Sequence, residues 1–293
     1  MLCEPPRRRI RFAKEELKGY DTSQVCRILQ VSRSGYYRQA KMPESEEIAL
    51  EKAIIHCFEE HRGNYGRIRI RKQLQTQGIQ VSEAKIARIL RKNGLKAKSG
   101  RKATKRKPRP KEEVYLEENL LQDKFSVAVP NALWCSDVTE LKYHGGKLYL
   151  CGVLDVATRR IVGWSIGKTQ TQTLIQDAFR MAVGRNPQRP ESPIFHSDRG
   201  CQYTAHRTKE LIETYGFRKS MSRPGTPSDN QPIESFWRTL ECEIEDIHGL
   251  SYQEASLRIA EYIELYYNSS RLHSGIGYHI PNDFFTVLSV HNS

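Results

Sequence analysis

The chain has 293 residues, 38% of them hydrophobic, enough to bury a sizeable core in two or three domains. No apolar run approaches the ~20 residues of a membrane span, and the basic cluster at residues 7–11 has no apolar stretch behind it, which excludes a membrane or secretory reading. The formal net charge of +13 is segregated: residues 1–110 hold 28 Lys+Arg against 11 Asp+Glu, whereas residues 111–293 hold 19 against 23. A basic segment joined to a mildly acidic one points to polyanion binding in the first and a different task in the second. The seven cysteines form no C-x-x-C pair and sit mostly beside apolar neighbours. They read as reduced cytoplasmic thiols, neither a disulfide framework nor a zinc site.

In chain order, residues 22–38 predict helix, tight turn, helix. Val25, Ile28 and Leu29 form the apolar stripe, the turn falls at Gln30-Val31, and Ser32 caps a second helix that opens with Arg33. This is the layout of a short helix-turn-helix, with Arg33 at the end that would approach DNA. Residues 45–60, 67–76 and 82–93 predict three further helices, broken at GNYG (63–66), with Ser82 as an N-cap and Gly94 past the last end. Ile86, Ile89 and Leu90 form the buried face of the third, and Lys85, Arg88, Arg91 and Lys92 a basic one. Residues 91–111 hold 11 Lys+Arg, including Lys102, Lys105 and Arg106, with almost nothing apolar. Such a run repels itself into an extended linker whose cations neutralise phosphates.

From about residue 127 strands and helices alternate. Strands are predicted at 134–143, 147–156, 159–167, 193–198 and 217–222, with a hairpin turn at 144–146. Helices are predicted at 173–185 and 206–216, and a loop at 223–231 feeds another helix, free of internal Gly or Pro from near Pro232 to about Ile247. A meander followed by crossovers gives a mixed α/β sheet with flanking helices. Trp134, Trp164 and Trp237 read as core or loop anchors.

Three carboxylates stand out here. Asp137 lies within the first strand, Asp198 ends the fourth, and Glu234 lies in the first turn of the helix after the loop. An aspartate inside a strand that otherwise buries apolar residues is costly unless it is paired or bound to metal. Oxygen-only ligation favours Mg²⁺ or Mn²⁺ over zinc. Two such ions, roughly 3.5–4 Å apart, activate the attacking and stabilise the leaving oxygen of a displacement at phosphorus, with Asp137 as the shared ligand. Arg199 and Asn230 flank the acids and are candidates to orient ligands or phosphate. Arg271 and His273 are candidates either for DNA contact or for structural hydrogen bonds. His196 and Ser197 do not form a hydrolase pair, because adjacent strand residues point to opposite faces.

Between Asp198 and Glu234 lie 35 residues, and this D,D-35-E spacing resembles that of retroviral integrases and many bacterial transposases. WCSDVTEL, LDVATRRIVGW, HSDRGCQY, MSRPGTPSDN, ESFWRTLECE and YNSSRLHSGIGYHIPNDFF resemble the integrase core of insertion-sequence transposases of the IS-three type. SRSGYYR and HRGNYGRIRIRKQL…GIQVSEAKIARILRKNGL resemble the second-reading-frame product of the same elements. The resemblance spans about residues 22–285. It implies an RNase H-like mixed five-stranded sheet behind small all-α helix-turn-helix domains: a helix-turn-helix region at 1–43, a second at 44–98, a basic linker at 99–126 and the catalytic core at 127–290. It further implies catalysis by Asp137, Asp198 and Glu234 with two Mg²⁺ or Mn²⁺ ions, cleavage and strand transfer at element ends, and a bacterial cytoplasmic, nucleoid-associated setting. Element ends and target DNA are the expected partners, with a homo-oligomer on DNA and an upstream-frame partner or fusion. A regulator built on a remnant core, and a nuclease that cuts without strand transfer, are the alternatives. One departure concerns the position seven residues after Glu234, usually basic in this group and here Glu241. Arg238, one turn after Glu234, is the candidate to take over that DNA contact.

Overall fold

In the computed structural model, residues 4–38, 44–98, 119–121, 127–223 and 227–291 are described. Strand β1 (Leu133–Tyr143) is the middle of a five-stranded sheet ordered β3-β2-β1-β4-β5. On one side β2 (Gly146–Asp155) and β3 (Ile161–Gly167) continue it antiparallel; on the other β4 (Ile194–Ser197) and β5 (Arg218–Met221) run parallel. All five predicted strands are present; the first is one residue longer than expected, the second equally long, and the last three each two residues shorter. The third starts at Ile161 because the turn before it is organised by Asp155, which accepts from Asn131 N and from Thr158 N and Oγ1.

Alternation along β1 separates two cores. Trp134 faces helix α7 (Gln172–Arg185) and helix α9 (His206–Thr214), the latter preceded by the one-turn α8 (Cys201–Thr204), among Phe179, Phe195, Ile212 and Phe217. Leu133, Cys135 and Leu141 face α10 (Gln231–Glu243) and α11 (Tyr252–Glu261), among Ile233, Phe236, Trp237, Leu240 and Ile259. Both faces of β2 are therefore covered, which its run of apolar residues anticipates. Helix α7 lies so close to β3 that a methyl group at Gly163 would stand 2.3 Å from the Ala178 carbonyl oxygen.

Before the sheet, α1 (Pro6–Glu16), α2 (Thr22–Ile28) and α3 (Arg33–Arg38) share a small core of Ala13, Val25 and Leu29. The expected stripe is corrected at one residue. Ile28 is 69% exposed and Cys26 is buried instead, because α1 covers the Val25/Leu29 side of this short helix. Ser32 caps α3 as expected, its Oγ accepting from Gly35 N at 3.0 Å. Helices α4 (Glu44–Glu60), α5 (Arg67–Thr76) and α6 (Glu83–Lys92) bury Leu50, Ile54, Ile70, Leu74, Ile86, Ile89 and Leu90 together. Ser82 accepts from Lys85 N, and Gly94 adopts φ +67 past the end, matching the predicted caps.

This helical unit does not float free of the sheet. Leu272, Tyr278 and Ile280 complete its core, Tyr65 Oη donates to Ser270 O and accepts from Leu272 N, and Arg69 Nε donates to Leu272 O. The residues presenting these groups flank Arg271, which is buried in a bidentate pair with Glu243 at 2.7 and 2.6 Å; Tyr262 Oη also donates to Glu243. Arg271 is thus a structural residue, and its candidacy for DNA contact ends there. The same pair corrects the expected length of α10. Glu243 is drawn into the interior, Ile244 turns extended (φ −61, ψ 141), and the helix stops there instead of near Ile247. Of the expected basic linker at 99–126, residues 119–121 are described: Asn119 donates to Asp229, Leu120 N to Ser220 Oγ, and Leu121 is buried against the sheet. Among the described residues no helix is long and apolar enough to cross a membrane.

Removing one partner of a buried pair strands the other's charge. Arg271→Ala is expected to lower unfolding free energy by about 3–5 kcal/mol in urea denaturation. A loss below about 1 kcal/mol would mean that water screens the pair.

Candidate active site

Strand β1 places Asp137 opposite Gly152 of β2, on the face covered by α10. Its carboxylate is almost wholly enclosed and accepts from the Trp237 indole N–H at 3.0 Å through Oδ2. Asp198 follows β4 directly, the parallel neighbour of β1, and its Oδ1 accepts from Gly200 N at 2.9 Å. Glu234 is half-buried in the first turn of α10. Pro232 ahead of it sits where its missing N–H costs no helical hydrogen bond.

The three acids share one electrostatic field. Burial first, then the charges of Asp198 and Glu234, together push the pKa of Asp137 up to about 7, against smaller opposing effects from Val138 N and Trp237. Among the described residues no three His, Cys, Asp or Glu side chains stand in ready-made metal coordination. The donor chemistry nonetheless fits a hard divalent cation: the ligands are all oxygen, and the charges acting on the most buried of them are negative.

The flanking candidates divide. Asn230 Nδ2 donates to Ser136 O at 3.0 Å, next to Asp137, while its buried Oδ1 has no partner among the described residues. Arg199 Nε is held by Ser222 O. His196 lies between Ser220 Oγ (2.8 Å) and Ser222 Oγ (3.1 Å), with its pKa pushed down to about 4 chiefly by burial. Ser197 donates to the Asp198 carbonyl, so the two form no nucleophile–base pair. Asp229 is buried and held below the usual carboxylate range, first by its hydrogen bonds from Arg223, which fixes the end of the loop before α10. His273 is pushed down to about 3 by burial and by Arg271, Arg159 and Arg69; its neutral ring accepts from Gly275 N and carries no charge for a phosphate.

Of the DNA-contact candidates, Arg33 and Arg238 are exposed. Arg88 is exposed but 3.9 Å from Glu47, and Lys92 pairs with Glu51 at 2.9 Å, so α4 offsets part of the basic face of α6. Lys102, Lys105 and Arg106 lie outside the described residues. Glu241 is exposed on the Glu234 side of α10. Trp237 and Gly152 were not among the expected site residues. Their signals were there: Trp237 lies one turn after Glu234, and a glycine inside an apolar strand marks a close approach.

Residues 128–227 and 215–281 match family models described as Integrase core domain, and residues 44–103 match HTH-like domain. The chain is 39% identical over 248 residues to the transposase for insertion sequence element IS904 of Lactococcus lactis, covering 84% of this chain and 97% of that protein. It is 32% identical over 280 residues to transposase InsF for insertion sequence IS3A of Escherichia coli K12, covering 93% and 96%. Among solved structures, the HTLV-2 integrase catalytic core domain in complex with magnesium is similar with a TM-score of 0.39 and 18% identity, over 54% of this chain and 97% of that one.

An acid whose folded pKa lies above its unfolded value opposes folding once it ionises. Without metal, the contribution of Asp137 to stability therefore falls as pH rises from about 3.8 towards about 7 and levels off above. Asp137→Asn keeps an acceptor for Trp237 and removes the charge. In chelator it is expected to stabilise the protein at pH 8 by on the order of 2–4 kcal/mol, a gain that shrinks towards pH 4. Melting curves from pH 4.5 to 8.5 check this, and a pH-independent offset would contradict it.

Proposed function

This chain belongs to the insertion-sequence transposases of the IS3 type, and from that footing we propose that Asp137, Asp198 and Glu234 are the catalytic and metal-binding residues of a DDE transposase that cleaves and joins DNA at element ends. The observation that carries this reading is the convergence of Asp198 and Glu234 on the buried Asp137, each raising its proton affinity. Two Mg²⁺ or Mn²⁺ ions held there would supply Lewis-acid charge on both sides of the phosphorus under attack. Asp137, central and most enclosed, would be the ligand common to both, and Asp198 and Glu234 would each hold one. Water or a DNA 3′-hydroxyl is the nucleophile, so no side chain forms a covalent bond to DNA.

Recognition falls to the basic helices. Arg33 at the start of α3, Arg88 on α6 and the cations Lys102, Lys105 and Arg106 neutralise backbone phosphates, and Arg238 contacts the DNA end beside Glu234. Glu241, on the same face, weakens that contact. One site per chain and two ends per element call for at least a pair of chains on DNA.

Asp137→Asn, Asp198→Asn and Glu234→Gln should each fold and each abolish Mg²⁺-dependent nicking of an element end. A variant that cuts at near wild-type rate removes its carboxylate from the site. End binding in Ca²⁺, followed against salt, tests recognition. The full chain should lose about 10³–10⁵ in affinity between 50 and 200 mM salt, and Arg238→Ala should flatten the slope by about one phosphate contact. An unchanged slope would take Arg238 off the DNA.

A further inference from the structure

Helix α10, which carries Glu234, is tied to β1, which carries Asp137, at one point on each side of Glu234. At its start, Asn230 Nδ2 donates to the Ser136 carbonyl. Two turns on, the Trp237 indole donates to Asp137 Oδ2. Positions 230, 234 and 237 are spaced four and three apart, so the two ties and the catalytic glutamate share one face of the helix.

The indole has little freedom to do anything else. Trp237 is 3% exposed, and its ring lies over Gly152, where a Cβ would come within 2.8 Å of the ring and 3.4 Å of Ile233. Gly152 is the residue paired with Asp137 across the strands. The sheet thus leaves out a side chain where the ring passes on its way to the carboxylate. A buried indole N–H needs an acceptor; the one Trp237 takes is the carboxylate of Asp137, itself buried on the strand that α10 covers.

We propose that Trp237 is a positioning residue of the metal site, holding the Asp137 carboxylate in one orientation and, through the same side chain, fixing the spacing between Asp137 and Glu234. This rests on the reading of Asp137 as a ligand of a divalent cation. An N–H donor to one carboxylate oxygen sets the plane of the group before the ion arrives, the part that outer hydrogen bonds play around metal ligands.

The test is Mn²⁺ binding to the intact chain, counting free ion by electron paramagnetic resonance, for wild type, Trp237→Phe and Asp137→Asn. Phenylalanine keeps an apolar ring over Gly152 and loses the donor. Trp237→Phe is expected to bind Mn²⁺ about 10–100-fold more weakly than wild type, and Asp137→Asn to lose the site. Equal affinity in Trp237→Phe and wild type, with loss in Asp137→Asn, overturns the role of Trp237 and leaves the metal site standing. Equal affinity in Asp137→Asn and wild type overturns the metal site and this proposal with it. Should Trp237→Phe not fold, the unaltered chain decides: of the three tryptophan indole N–H resonances, one is expected to move as Mg²⁺ is added. Three unmoved resonances at saturating Mg²⁺ overturn the proposal.

Discussion

Asp137 sits in the middle strand of a sheet covered on both faces, and ionising it there costs free energy that nothing in the apolar surroundings returns. Much of the neighbouring construction answers that cost. Trp237 donates one hydrogen bond to the carboxylate, and Gly152 gives up its side chain so that the indole can reach. The two other acids make matters worse, each adding like charge. A chain selected for stability alone would place an apolar residue at this position. Retention of three mutually repelling carboxylates is intelligible when a cation is part of the working state.

Helix α10 joins this strained centre to the rest of the molecule. Its first turn carries Glu234; its last carries Glu243, locked to Arg271 by two short hydrogen bonds. The segment after Arg271 enters the core of α4–α6 through Leu272 and caps Tyr65. Helices α4–α6 and the three carboxylates are therefore linked through one helix and one buried ion pair.

Much of this was legible from residue types alone. The central aspartate announced itself as a charge in an apolar strand, and the five strands followed from alternation and turns. What failed was what depends on partners distant in sequence. Arg271 stands in a polar stretch, YNSSRLHSG, that reads as surface; only Glu243, 28 residues earlier, explains its burial. The absence of Gly and Pro after Glu234 said that a helix was permitted up to Ile247, but packing decided where it stopped. Ile28 and Leu29 both fit an apolar stripe on a seven-residue helix, and the choice belonged to α1. The Trp237–Asp137 bond depends on the direction of an indole N–H, which periodicity does not encode.

The contacts that seat α4–α6 against the sheet, Tyr65 with Ser270 and Leu272 and Arg69 with Leu272, span 203 to 207 residues of sequence. As the polypeptide leaves the ribosome, both the helical unit and the sheet can gather their own cores before the docking segment exists. Closing a loop of that length adds only a modest entropic cost over a short one, so the limit is order of arrival. Synthesis delivers Arg271 and Leu272 after every strand and after Glu243. A growing chain therefore has helices α4–α6 before the brace that fixes them to the sheet, and only translation of the final stretch joins the two.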